Sequence, residues 1–553
     1  MTLLKNKSLT YQLGIVIISA LLFIPFLGKV HLFDWDEINF AESAREMILT
    51  GDYLTVKINF LPFWEKPPLF TWMQVLSMKT FGINEFAARF PNAIVGIITL
   101  LVLFNIGKRL YNEKFGLIWV LVYAGSVLPQ FYFKTGIIDP LFNLFIFLGI
   151  YYFVLFTAEK EKIALKYVIL SASFVGLGIL TKGPVAFLLF FLSGILFMIF
   201  NKQYKKFLNY KVLLTYTITV SLIGGLWFIL QALSGNYSIL VQFIEYQIRL
   251  FTIEDAGHGG FLLYHFVILF IGVFPASVFV LKSFRKYLDD SDLQNYFRKW
   301  MVIIFWVVLI LFTIVNTKIV HYSSMCYFPM SYLATYIILK IFDGEQKLDR
   351  WMKILIAALA IIIGSAVISL QIIDAFKEKI IASGVIKDPF AVGNLEANGN
   401  WTGFEFSIGI ILILGTALIL IFVKDTKKQL ISIFITALVF TNLTMTIIVP
   451  RIEKYSQNAA IEFYKKVSKE DCYLSTYAFK SYAIYYYFDK KEPVNDNSYS
   501  LDWLLGGKID KPVYIVCKNF NESEFSNAYP DFKKIESKNG FVFFKRDKLL
   551  NSE

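Results

Sequence analysis

Long apolar runs alternate with short polar segments from the start of the chain to about residue 450, and then the pattern changes. The apolar runs fall near 11–28, 91–107, 115–130, 139–157, 167–180, 184–200, 212–232, 261–281, 301–315, 324–339, 354–373, 406–423 and 430–449. A helix needs roughly 17–25 apolar residues to cross a bilayer, so this pattern predicts about thirteen membrane-spanning helices. The stretch 69–81 is apolar but too short to span, and its expected place is in the membrane interface. Residues 36–48 place Phe40, Ala41, Ala44, Met47 and Ile48 at helical spacing, with Gly51 as the stop. That periodicity predicts an amphipathic helix lying flat on the membrane surface. Beyond residue 451 short β-rich runs (473–477, 513–517, 541–544) alternate with helical stretches (459–467, 482–488). A small α/β domain is predicted there. The chain therefore divides into a transmembrane domain, 1–450, whose first outer loop is 29–90, and a soluble C-terminal domain, 451–553.

Composition supports this reading. Of 553 residues, 56% are hydrophobic and 17% charged, against roughly 25% charged in soluble domains. The net charge of +12 does not point to nucleic acid, because no basic region is joined to a stacking platform on a soluble fold. It points to topology. If residues 1–10 are cytoplasmic, the loops on that side carry 24 Lys and Arg in 74 residues, and the opposite loops 13 in 137. Basic residues are about three times denser on the first side, as the positive-inside rule requires. An odd number of spans then sends the C-terminal domain outside. The first apolar run has no small-residue cleavage site after it and is expected to remain as an anchor. The three cysteines, Cys326, Cys472 and Cys517, have no metal-ligand spacing. Cys472 and Cys517 could pair in an extracytoplasmic tail, or stay as buried thiols.

The candidate chemistry lies on the predicted outer side. Asp36 and Glu37 open the amphipathic helix, where acidic residues also serve as caps and dipole partners. Glu65-Lys66-Pro67-Pro68 locks an acid and a base before two prolines; an exposed ion pair in a turn would read the same way. Asp139-Pro140 starts the fourth span, as a functional carboxylate or as a helix start with Pro at its first position. Lys182 stands in a Thr-Lys-Gly-Pro turn, against the charge trend. Arg249 and His258 lie in the loop before the eighth span, and Lys318, His321 and Tyr322 open the tenth. Each signal is weak alone, but all fall on one side. Cations there could clamp an anionic phosphate, and a carboxylate could deprotonate or orient a hydroxyl.

The residues from Asp36-Glu37 through Ala41-Glu42-Ser43-Ala44-Arg45-Glu46-Met47 to Gly51-Asp52-Tyr53 resemble the opening of the aminoarabinose transferases and the related protein O-mannosyltransferases. Glu65-Lys66-Pro67-Pro68-Leu69, the stretch 81–91, Asp139-Pro140, Thr181-Lys182-Gly183 and 318–322 continue the resemblance in order. It covers about residues 11–340 and is densest over 36–91.

The resemblance implies a polytopic helical membrane protein of the GT-C glycosyltransferase type in a bacterial inner membrane. Its site and C-terminal domain would be periplasmic. It further implies an inverting transfer of a sugar from a polyprenyl-phosphate donor, typically undecaprenyl phosphate, to lipid A or a protein hydroxyl. Asp36, Asp139 and Glu65 would then be catalytic. Glu37, Lys66, Lys182, Arg249, His258, Lys318, His321 and Tyr322 would bind substrate. One position departs from the pattern: Asn39 stands where the aminoarabinose transferases carry an Arg. No metal ligand set or cofactor is called for, although carboxylates beside a phosphate could hold a divalent cation. Two other functions use the same groups: a transporter or flippase for a lipid-linked sugar, and an envelope glycan ligase. A transporter would place polar residues at the bilayer midplane, whereas here they gather at one rim.

Overall fold

The structure, a computed structural model, describes residues 7–159, 164–202, 204–252, 259–284 and 290–548. Seven of the described helices are long and apolar enough to cross a membrane, and three bent pairs bring the number to ten. Three shorter apolar helices, Lys7–Phe23, Val185–Asn201 and Phe406–Phe422, join them. Each of the thirteen apolar runs in the sequence coincides with one of these helices or pairs.

The bends have local causes. The 82° break follows Ala124 at Gly125, and the 58° break falls at Gly225 between 210–224 and 226–233. The 116° break before Ala276 falls at Pro275, which has no N–H to continue the ladder. Glycine and proline are the usual sites of sharp kinks. The helices share an aromatic-rich core in which Trp119, Phe147, Phe297 and Tyr332 meet edge to face, the favoured geometry for such rings.

The amphipathic helix forms as Asp36–Thr50 and ends on Gly51 in the left-handed conformation (φ 71°), where glycine carries no steric penalty. It does not lie with a polar face in water. Every residue from Glu37 to Met47 is buried, so the expected surface helix is corrected here. The C-terminal residues 459–488 cover it: Ile38, Ala41 and Met47 share one apolar cluster with Ile461, Tyr464, Tyr482 and Tyr487. The helix Leu69–Phe81 packs on its other side and against Glu85–Leu110.

The C-terminal segment carries a four-stranded sheet in the order Tyr473–Thr476, Val513–Lys518, Phe541–Arg546, Lys533–Lys538. The first pair is parallel and the other two antiparallel. Three of these strands match the β-rich runs of the sequence. The edge strand Lys533–Lys538 is exposed throughout and shows no apolar pattern, which is why periodicity overlooks it. Cys472 and Cys517 are buried free thiols, so the disulfide considered from sequence does not form.

Candidate active site

The site begins from a buried ion pair that fixes the helix carrying Asp36. Arg89 donates from Nε and Nη2 to the two oxygens of Glu37 at 2.7 and 2.8 Å, and from its remaining N–H groups to the carbonyls of Leu27, Val30 and His31. Glu37 also accepts the N–H groups of Phe33 and Gly136. A side chain at Gly136 would meet Glu37 Cγ at 3.0 Å, so the loop's close approach leaves little room for one. Glu37 has no oxygen to spare for a substrate. The sequence-based assignment of Glu37 to substrate binding is therefore corrected: it holds the frame. Arg89→Ala strands a buried carboxylate and three carbonyls, a loss of about 3–5 kcal/mol. A marked fall in melting temperature and membrane yield is the expected result.

One residue before Glu37, Asp36 faces the other way. Its neighbour Trp35 occupies the N-cap position without a side-chain cap, so the Asp36 carboxylate is not spent on the helix end. His321 Nε2 lies 3.1 Å from Asp36 Oδ2 and 3.8 Å from Asp139 Oδ2. Lys182 Nζ lies 2.5 Å from Asp139 Oδ1 and sits over the rings of Phe142 and Tyr322 at 5.6 and 5.3 Å. Acidic and basic side chains thus alternate along Asp36, His321, Asp139 and Lys182, four residues from four segments. Asp139 is buried, its side chain 4% exposed, whereas 42% of the Asp36 side chain is open. Asp36 is the carboxylate a ligand can reach. Burial among protein atoms raises its pKa, but His321, Lys66 and Lys182 outweigh that and hold it down to about 2.

Glu65 and Lys66 complete the rim. Burial pushes Glu65 above the ordinary glutamate range, against the lowering effect of Lys66 and the Tyr246 hydroxyl. Burial likewise pulls Lys66 down, opposed by Glu65 and Asp36. Lys66 Nζ sits 5.0 Å from the Tyr246 ring, and the Arg249 guanidinium stacks on the same ring at 5.2 Å. Tyr246 was missed in the sequence; its only signal is a spacing of three from Arg249 on the helix Tyr237–Thr252. Lys480, from the C-terminal segment, also acts on Glu65 and was equally unforeseen.

Two expectations end differently. Lys318 Nζ donates to the carbonyls of Phe312, Thr313 and Val315 at 2.6–3.0 Å. All three ammonium protons are used at the C-terminal end of the helix Asp292–Ile314, which corrects its assignment to substrate binding. His258 lies outside the described residues. No cluster of His, Cys, Asp or Glu with metal-holding geometry occurs among the described residues.

After Lys182 the helix ends on Gly183 (φ 87°), and Pro184 is among the residues lining an apolar groove of about 740 Å³. The groove runs between the helices Val185–Asn201 and Tyr210–Gly224, past Phe187, Phe190, Tyr216 and Phe228 to Phe207.

The crystal structure of ArnT from Cupriavidus metallidurans bound to undecaprenyl phosphate superposes with a TM-score of 0.75, covering 97% of this chain and 98% of that one at 14% identity. The chain has the GT-C fold. A family described as dolichyl-phosphate-mannose-protein mannosyltransferase matches residues 65–227. An undecaprenyl phosphate-alpha-4-amino-4-deoxy-L-arabinose arabinosyl transferase from Shewanella sediminis is 27% identical over 61% of this chain. One from Pseudomonas fluorescens is 27% identical over 60%. The matched stretches span 62% and 59% of those relatives. This GT-C chain is thus a multi-pass membrane protein similar to the aminoarabinose transferases and the protein mannosyltransferases.

Proposed function

We propose that the protein is an inverting glycosyltransferase of the bacterial inner membrane, moving a sugar from a polyprenyl phosphate to an acceptor on the periplasmic side. One observation carries this reading. An open, ionised carboxylate, Asp36, stands among the basic side chains His321, Lys66 and Lys182, and Pro184, two residues after Lys182, lines an apolar groove. A prenyl phosphate has the matching form, a long apolar tail ending in an anion. Its tail would lie along Phe187 and Phe190, and its phosphate would meet Lys182 and Arg249. The names of the relatives, which specify undecaprenyl phosphate and aminoarabinose, agree with the donor class. Asn39 lies one turn from Asp36 on the same helix. It lacks the charge of the Arg at that position in the aminoarabinose transferases, so the sugar is proposed only as a pentosyl or hexosyl unit and the acceptor as lipid A or a protein hydroxyl.

In the proposed reaction the acceptor oxygen attacks the anomeric carbon from the face opposite the phosphate. The bond from that carbon to the phosphate oxygen breaks, and the prenyl phosphate leaves with the electron pair. Asp36 accepts or orients the acceptor proton. Lys182 and Arg249 stabilise the negative charge that grows on the leaving phosphate. Asp139 and His321 hold Lys182 and Asp36 in place. Residues 451–553 would contribute by gripping the loop before Asp36. Tyr487, Gln457 and Glu453 bind Leu32, Asp34 and His31.

The test is transfer of a radiolabelled sugar from a synthetic polyprenyl phosphate by the purified protein in liposomes. Consumption of donor with release of prenyl phosphate is expected. Passage of intact donor across the bilayer without cleavage would instead identify a flippase. The pH profile adds a second check. Asp36, with a pKa near 2, stays ionised from about pH 4 upward, while Glu65 lies above its ordinary value of about 4.3. Glu65 therefore protonates first as pH falls. An acid limb displaced upward from the ordinary glutamate range is expected in the wild type and should vanish in Glu65→Gln.

A further inference from the structure

Three segments far apart in the chain meet beside Asp36 without taking part in the chemistry above. Trp35 has φ 74° and ψ −112°, a backbone conformation that residues with a β-carbon avoid and that persists only where its surroundings impose it. The surroundings are visible. Asp34 Oδ1 accepts both the Trp35 N–H at 2.8 Å and the Tyr482 N–H at 2.9 Å, so one oxygen ties the turn to the C-terminal segment. Trp35 is left 36% exposed, its ring edge to face with Tyr482 at 5.5 Å. Phe63, two residues before Glu65, meets the same tyrosine at 6.2 Å. Over this aromatic group hangs Lys480, its Nζ 4.6 Å from the Tyr482 ring and 5.6 Å from Trp35. Lys480 is exposed, and its charge reaches Glu65.

The arrangement adjoins the site twice, through Trp35 to Asp36 and through Phe63 to Glu65. It is distinct from the Lys182 end, where the donor phosphate is placed. An exposed aromatic face takes the apolar side of a ring and leaves polar groups at its edge wet, and an ammonium beside it supplies a contact for an anion. We propose that Trp35, Tyr482 and Lys480 form the acceptor subsite, taking a sugar ring against the indole and an anionic substituent of that sugar on the Lys480 ammonium. The inference rests on the glycosyltransferase reading for its purpose but not for its test. It gives the C-terminal segment a role in acceptor choice, and it makes Lys480 a specificity-determining residue supplied from more than 400 positions away from Asp36.

The experiment is calorimetric binding to the full-length protein in detergent, with no donor present. The probes are a disaccharide phosphate monoester, its dephosphorylated form and a disaccharide ending in a uronic acid. The wild type is expected to prefer an anionic probe by about tenfold, the weight of one charged contact; the better of phosphate and carboxylate identifies the anion. Lys480→Ala, an exposed change that leaves the fold intact, should erase the preference, and Lys480→Arg should keep it. Trp35→Ala should weaken all three probes together, and Trp35→Phe should restore part of the loss. No preference in the wild type, or an unchanged preference in Lys480→Ala, would overturn the subsite. A protein with these affinities that never cleaves a prenyl-phosphate sugar would count against the transferase reading instead.

Discussion

Asp36→Asn is expected to lower sugar transfer at least a hundredfold while leaving the protein folded and in the membrane. The change is isosteric and falls on a side chain that is 42% open, so it creates no cavity, and the amide oxygen can still accept a hydrogen bond from His321. What it removes is charge. Among the carboxylates of the site, Asp36 combines access to a ligand with a pKa held near 2, which keeps it ionised at any working pH. An amide in its place can neither take a proton from an acceptor hydroxyl nor balance His321 and Lys66. Losing one charged group aimed at the reacting atoms costs about 10²–10³ in rate, which sets the size of the loss. The measurement is the initial rate of transfer in liposomes, with expression and melting temperature as controls. A variant retaining full activity would remove Asp36 from the chemistry.

Lys182→Ala should be damaging in two separable ways. The ammonium is the partner of Asp139, and removing it leaves a carboxylate that is 4% exposed with His321 at 3.8 Å as its remaining ion-pair partner among the described residues. Breaking a buried pair from one side costs about 3–5 kcal/mol, so the variant should melt well below the wild type. Lys182 is also proposed to hold the donor phosphate as it departs, and losing such a stabilising group costs about 10²–10³ in rate. The double variant Lys182→Ala with Asp139→Asn separates the two effects. Neutralising Asp139 should return most of the stability, because the stranded charge is gone. It should return none of the activity. Recovery of both together would mean that Lys182 matters only as a structural counter-ion.

Several features of the site were legible because they leave local traces. Glu65-Lys66 before two prolines, Lys182 on the wrong side for topology and Asp139 at a helix start each break an expectation about charge. Others left none. Glu37 and Lys318 sit in the same kind of sequence as the site residues, yet Arg89 and three helix carbonyls take up all their capacity. Local pattern cannot distinguish a charged group that is satisfied from one that is available, because its partners lie elsewhere in the chain.

The sequence by itself determined the solvent and the helices, and its charge distribution predicts the side on which the chemistry gathers. These depend on apolar run length and on the uneven distribution of Lys and Arg, both properties of contiguous residues. Only the tertiary structure decided which acids and bases come within a few ångströms of one another. It also decided that the helix bearing Asp36 is buried beneath residues 459–488, and that Tyr246 and Lys480 belong to the rim. Those outcomes follow from packing between segments hundreds of residues apart. Hydrogen bonds and charge pairs act over a few ångströms of space, and the order of residues along a chain does not record that distance.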